Sequence, residues 1–487
     1  MAKIIIASPA KFEAGFFMVI NFIENMEEKF ELAQNLEQLK WGFPKPTIVV
    51  ESASAAAFKG IEEEQYYRRM YLMCGKDDIY VVNKKYPIDS DYSAYLKNVL
   101  GVELPTFLEL EFPSPQSSLT TSMIADHYHN GNGKENTYDL IDLFIASGCK
   151  LQFFEVTQDE VEFANHFGNP TYSKNLSNYF NIGTKPGFKS FCFENNIPTP
   201  SGSVCHDIDE LLTVASEIGP ELIIKASEGT GGEDFGSNVS IHVPEDLNGK
   251  NLKTIIEKKL LLLKPNTFPI IVEKKLQLPE GSLHFFINES GQIIFEPTVF
   301  NQIAKNYSYV GGFYPNHLPQ EVVTLANIIA QENIIPALIE IGATGFHCLD
   351  FLYDEKTNLI FFIEDNTRPG ALDIVDHFVK NVISANNLGY QYSWFHLLVP
   401  LSELGITGGV SFGELEKIIK DPMIPGQNFV LISSPDILPF GFSLLLTGIS
   451  CGKDASIQQA KTIHQLAVNK LKNYYGKKLE GGDSYDY

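Results

Sequence analysis

Short apolar runs at residues 3–7, 47–51 and 78–83 alternate with longer stretches of helical periodicity such as 138–147, a rhythm that predicts strands and helices layered in an open α/β sheet. Near residue 180 the texture changes. Asn181-Ile182-Gly183-Thr184-Lys185-Pro186 leads into an amphipathic helix that stops before Ile197-Pro198-Thr199-Pro200, because proline cannot continue a helix. Beyond this boundary the pattern predicts strands at 221–225, 269–276, 283–288 and 292–300, with a helix around 252–263. The last two strands are joined by a hairpin turn at Glu289-Ser290-Gly291. Residues 301–319, rich in aromatics and glycine, read as a loop that either contacts a substrate or serves as a structural crossover. A helical pattern at 320–341 precedes strands at 346–353 and 359–364. After about residue 400 come strands near 429–433 and 442–450, a helix at 457–473 and a frayed end at 481–487, while 409–425 shows only modest turn signals.

With 487 residues and 44% apolar content, the chain has material for about three domains with real cores. We place an α/β domain at 1–180, an α+β region at 181–400 with lobes of about 185–275 and 276–400, and a small α+β unit at 401–487. Charge then narrows the partners. Lys and Arg number 37 against 60 Asp and Glu, a net of −23, which argues against a broad basic surface for nucleic acid or anionic lipid. No window reaches the roughly 18 uninterrupted apolar residues of a membrane span, and Lys3-Ile4-Ile5-Ile6 is too short for a signal-peptide core, so a cytoplasmic location is expected. The six cysteines are scattered without a C-x-x-C pair, and read as reduced thiols rather than as disulfides or a zinc site.

Two constellations carry chemistry. In the first, Lys225 ends a predicted strand and is followed by Ser227, Gly229, Gly231, Gly232 and Gly236. Such a loop brings backbone N–H groups close to phosphate oxygens because no Cβ intervenes, with the lysine as a point charge; a mobile surface loop is the plainer reading. The lysine precedes the glycines, the reverse of a Walker motif. In the second, Asp350 lies on one predicted strand and Glu364 and Asn366 on the next. If the strands pair about the turn at 354–358, Asp350 falls near Glu364, and Glu364 and Asn366, two apart, share a face. Two carboxylates and an amide oxygen suit Mg²⁺, which prefers octahedral oxygen. The run 359–363 should be buried, and carboxylates against it need a cation or hydrogen-bond donors to offset desolvation.

The order strand-lysine, glycine-rich flap, Val272-Glu273-Lys274-Lys275-Leu276, Asp350 at a strand end, then Glu364-x-Asn366 resembles the ATP-grasp superfamily of carboxylate ligases over roughly residues 183–370. The resemblance implies an ATP-grasp fold preceded by a Rossmann-like pre-ATP-grasp domain. The whole layout, including the stretch beyond 400, is similar to peptide ligases of the pheganomycin-biosynthesis type. It implies ATP as a substrate with Mg²⁺, two ions, Mn²⁺ being an alternative. Lys185 and Lys225 would contact the α- and β-phosphates, with Ser227, Gly229, Gly231 and Gly232 in the flap. Glu273, Lys274 and Leu276 would meet adenine, the first two through main-chain groups, and Glu280 the ribose hydroxyls. Asp350, Glu364 and Asn366 would be the metal ligands. Arg368 would face an acyl phosphate, a role that suits a permanently charged planar fork; otherwise it would pair with Asp365 or Asp373. The sequence departs from the family where many members carry an arginine: here that position is Cys348, beside His347. His347 reads as a packing or hydrogen-bonded histidine, and Asp365 either joins the acidic cluster or faces away.

The chemistry so implied is activation of a small-molecule carboxylate as an acyl phosphate and its joining to an amine such as an amino acid or peptide. Two alternatives stand beside it. One is loading of an amino acid onto a carrier-protein thiol, and the other is an ATP-binding module without catalysis. A homodimer is the default expectation for a soluble enzyme.

Overall fold

The computed structural model describes residues 43–51, 68–84, 87–110, 135–227, 238–242, 249–263, 267–305, 308–388, 391–441 and 443–480. The expected strand at 3–7, the glycines at 229, 231, 232 and 236 and the terminal 481–487 lie outside these residues.

Four parallel strands, β1 (Thr47–Val50), β2 (Ile79–Asn83), β3 (Thr106–Leu110) and β4 (Lys150–Phe153), lie in the order β3-β2-β1-β4. Every residue of β1 is buried, as expected for a parallel strand covered on both faces. A second sheet, ordered β5-β8-β6-β7, joins β5 (Gly202–Cys205), β6 (Glu221–Lys225), β7 (Asn238–His242) and β8 (Ile270–Lys274) by antiparallel pairing. It closes its own small core with the helices Ile208–Ile218 and Gly249–Leu260.

The third sheet has eight strands, ordered β13-β12-β9-β10-β11-β14-β16-β15. They are β9 (Glu280–Ile287), β10 (Ile293–Lys305), β11 (Ser308–Tyr314), β12 (Gly345–Asp354), β13 (Leu359–Asn366), β14 (Tyr392–Pro400), β15 (Asn428–Ile432) and β16 (Ser443–Cys451). The turn at 289–291 does join β9 to β10, with Gly291 at φ +82° and Asn288 donating its N–H to Gln292 O at 2.9 Å.

Three readings are corrected here. Residues 301–319 are largely not a loop: they form the end of β10 and all of β11, whose glycines Gly311 and Gly312 pair with Leu397 and His396 of β14. A Cβ on Gly311 would stand 2.1 Å from His396 O, so the glycines there serve close strand approach rather than flexibility. The run 359–363 is not uniformly buried but alternates, Leu359 being 48% exposed while Ile360 and Phe362 are buried, as one strand face requires. Within 409–425 stands a helix, Phe412–Ile419, capped by the Ser411 hydroxyl accepting from the Glu414 N–H.

Strands β15 and β16 do not form a sheet of their own, since β16 pairs with β14 along nine residues. The helix Ala371–Ala385 and the N-terminal sheet share one core with these strands. The helical stretch Gln320–Ile341 is, among the described residues, long and apolar enough to cross a membrane; here Val322, Ala326, Ala330, Ile334 and Leu338 sit in the core with β9, β12 and β13.

Candidate active site

The site draws on residues of the second and third sheets, and the helix Lys185–Glu194, which contacts strands of both, delivers its first basic group. That helix starts because the Thr184 hydroxyl accepts from the Gly187 N–H at 3.1 Å and Pro186 occupies its first turn. Gly187 is required there: a Cβ would meet Asn181 O at 1.9 Å. The Lys185 N–H donates to Ser227 O at 3.0 Å, which holds the helix start against the end of β6 and the beginning of the glycine-rich segment.

Lys185 Nζ lies 3.4 Å from Glu364 Oε2. Lys225, buried at the end of β6, lies 2.5 Å from Glu273 Oε1. The other oxygen of Glu273 takes Lys189 Nζ at 3.1 Å, so one buried carboxylate braces two ammonium groups. Lys189 also donates to Thr199 Oγ1 at 3.0 Å and to Pro200 O. Burial lowers the Lys189 ammonium below the usual lysine range even against the pull of Glu273. Lys274 is exposed and Leu276 half-buried, on the segment leading to Glu280, and burial followed by the Glu364 charge raises the Glu280 carboxyl.

Strand pairing assembles the acidic group. Asp350 pairs with Glu364 and Cys348 with Asn366 across β12 and β13, so Asp350, Glu364 and Asn366 share a face as the two-residue period requires. Asn366 Nδ2 donates to Asp350 Oδ2 at 3.2 Å, and Ser282 Oγ donates to Asp350 Oδ1 at 2.6 Å. Burial, then the adjacent Glu364 charge, pushes the Asp350 carboxyl well above the usual range. Burial would also raise Glu364, but the Lys185 and Lys225 ammonium groups outweigh it and hold that carboxyl well below the usual range. Two close carboxyls that resist joint ionisation are a place where a divalent cation is electrostatically welcome.

Arg368 donates from Nη2 to Asn366 Oδ1 at 3.1 Å and from Nη1 to Glu155 Oε1 at 2.9 Å, with its guanidinium 5.3 Å from the Phe154 ring centre. Its carboxylate partner is thus neither Asp365 nor Asp373 but a residue of the N-terminal unit. Asp365 points away from the cluster to His347, whose Nδ1 lies 2.6 Å from Asp365 Oδ2 and whose Nε2 lies 2.9 Å from Ala343 O, with both side chains fully buried. His347 is therefore a structural anchor beneath the site.

No family profile matches the chain. Over 107 residues it is 28% identical to a D-alanine–D-alanine ligase from Synechococcus sp. (strain RCC307), a match covering 21% of this chain; the chain spans less than a third (30%) of that relative's length. Two solved structures superpose over nearly all of it. One is an ADP complex of N5-carboxyaminoimidazole ribonucleotide synthetase, with TM-score 0.53, 11% identity, 91% of this chain and 100% of that one. The other is biotin carboxylase from Campylobacter jejuni in complex with a β-γ-ATP compound, with TM-score 0.52, 14% identity and coverage of 90% and 97%. The chain has the ATP-grasp fold. Within that ATP-grasp frame, Lys185, Lys225, Glu273, Glu280, Asp350, Glu364, Asn366 and Arg368 gather from separate segments, while Gly229, Gly231 and Gly232 fall outside the described residues. Sequence reasoning missed Lys189 and Glu155. Lys189 had a signal, since it stands four residues after Lys185 on one helix face. Glu155 had none, because its contact with Arg368 spans 213 residues.

Proposed function

We propose that this chain is an ATP-dependent ligase that activates a substrate carboxylate as an acyl phosphate and joins it to an amine, releasing ADP and phosphate. The observation that carries this reading is the meeting of Lys185 with Glu364, and of Lys225 with Glu273, beside the paired Asp350 and Asn366, with Arg368 on the same strand end. The ADP and ATP-type ligands named for the two structural neighbours, and the ligase name of the partial relative, support it.

A carboxylate is a poor electrophile toward amines, and phosphoryl transfer depends on positioning and on neutralising charge. In this reading Lys185 and Lys225 neutralise the α- and β-phosphates, Glu273 keeps Lys225 extended toward them, and Glu280 accepts from the ribose hydroxyls. The carboxylate oxygens of Asp350 and Glu364 fit Mg²⁺, and Asn366, whose Oδ1 here accepts from Arg368 while its Nδ2 faces Asp350, would join them by turning its amide over; the ion when bound would supply charge neutralisation across the phosphates. Arg368, pinned by Glu155 and Asn366, presents the rest of its guanidinium to the charge that develops on the acyl phosphate. In a protein of net charge −23 these cations are the local focus an anionic nucleotide needs.

The test is ADP and phosphate release with mixtures of carboxylates and amines. Arg368→Ala should cut turnover by about 100-fold or more, the usual scale for a lost oxyanion donor, with ATP affinity nearly unchanged. If that variant keeps full turnover, or if no carboxylate and amine pair raises release above background, the ligase reading fails.

A further inference from the structure

Behind Asp350 runs a buried hydrogen-bond network that the proposed chemistry does not use. Ser282 and His284 stand two apart on β9 and so face the same way, opposite Asp350 and Cys348 of β12 respectively. Ser282 Oγ, 2.6 Å from Asp350 Oδ1, lies 2.7 Å from His284 Nε2. His284 Nδ1 lies 2.8 Å from Asp373 Oδ2. Asp373, in the first turn of the helix Ala371–Ala385, accepts at that same oxygen from the Gly370 N–H at 2.8 Å and from Cys348 Sγ at 3.2 Å. Ser282, His284, Cys348 and Asp373 are all buried. Burial raises the Cys348 thiol well above its usual range, so it acts here as a weak donor and not as a nucleophile.

His284, Cys348 and Asp373 have the ligand types of a zinc site, with donor atoms all within 4.8 Å of one another. The spacing decides against it. Ligands on one tetrahedral ion, with bonds of about 2.0–2.3 Å, stand more than about 3 Å apart, whereas the His284–Asp373 contact of 2.8 Å is a hydrogen-bond length.

The chain has a direction. A serine hydroxyl has a single hydrogen, and giving it to Asp350 leaves its lone pairs to accept from His284 Nε2–H; with Asp373 Oδ2 accepting at Nδ1, the chain in this direction requires hydrogen on both ring nitrogens. We infer that Asp373, His284 and Ser282 form a positioning chain that fixes the Asp350 carboxyl, holding Oδ1 so that Oδ2 stays aimed at Asn366, on the face shared with Glu364 where the proposed divalent cation would bind. This rests on the reading of Asp350 as a cation ligand. Partners behind metal ligands set ligand orientation, and their loss typically weakens metal affinity by about 10–100-fold.

The experiment is Mn²⁺ titration of the full chain with a non-hydrolysable ATP analogue, read by electron paramagnetic resonance, with thermal unfolding run on each variant. Ser282→Ala and His284→Leu should each weaken Mn²⁺ binding by about tenfold or more. His284→Gln, which keeps an N–H donor at the Nε2 position, should recover most of that loss. The double variant should be no weaker than Ser282→Ala, because both changes cut one chain. If Ser282→Ala folds and binds Mn²⁺ like the parent while Asp350→Asn loses it, the positioning chain is overturned and the cation site stands. If Asp350→Asn itself binds like the parent, the cation site is overturned and the chain with it.

Discussion

Glu51, just past β1, gathers three hydrogen bonds on one oxygen: from the Arg69 N–H at 2.9 Å, the Met70 N–H at 2.8 Å and the Tyr80 hydroxyl at 2.7 Å. Its other oxygen is buried and, among the described residues, has no hydrogen-bond partner. Burial wins over these donors and raises the carboxyl from 4.5 to about 7. Below pH 4.5 the group is protonated in both folded and unfolded chains. Between 4.5 and about 7 only the folded chain keeps the proton, so stability is lost as pH rises through that window, by about 3 kcal/mol in all. Urea unfolding of the parent and Glu51→Gln at a series of pH values should therefore show the parent losing ground between those limits; a constant difference would exclude it. At this scale, Asp350, Glu364 and Asn366 were legible because a two-residue period in a strand puts side chains on one face. Glu155 beside Arg368, and the links from Ser282 to Asp350 and from His284 to Asp373, were not, because they join residues far apart in sequence that no local period relates.

The edge where the N-terminal unit meets the large sheet is held by a buried pair, Arg68 Nη2 to Asp436 Oδ1 at 2.7 Å, with side chains only 5% and 7% exposed. Breaking one side of such a pair strands the other charge and typically costs about 3–5 kcal/mol. Asp436→Ala should thus lower the melting temperature clearly, and Arg68→Met combined with Asp436→Leu should recover much of the loss, measured by calorimetry. Equal melting for Asp436→Ala and the parent would show that the pair contributes nothing. Strand and helix patterns gave the elements β6, β8, β9, β12 and β13 to within a few residues. Residues 301–319 were misread because the same aromatics and glycines that mark loops also suit strands in close approach, and only pairing with β14 tells the two apart.

Across the whole molecule, the strands after residue 400 complete the eight-stranded sheet and share a core with the N-terminal unit. A chain ending at residue 400 would lose β15 and β16 and leave β14 with an unpaired edge. It should be insoluble or lack a cooperative unfolding transition, tested by expression and circular dichroism; a soluble, cooperatively folded 1–400 would show the last segment to be separable. All six cysteines are buried, and a thiol reagent should label the native chain slowly and all six at once after denaturation. Rapid labelling of the native chain would contradict the packing described.

Periodicity and residue chemistry, which act over a few neighbours, were enough to set the α/β and antiparallel elements, the acidic pair of strands and the cationic residues that gather beside it. Tertiary structure alone decided that Glu273 braces both Lys225 and Lys189, that Arg368 leans on Glu155, that Asp365 turns away to His347, and that one sheet runs through to the last strand. Each of those outcomes depends on which distant segments come to share a buried space, where an unpaired charge or an open strand edge is costly, and no local pattern records that neighbour.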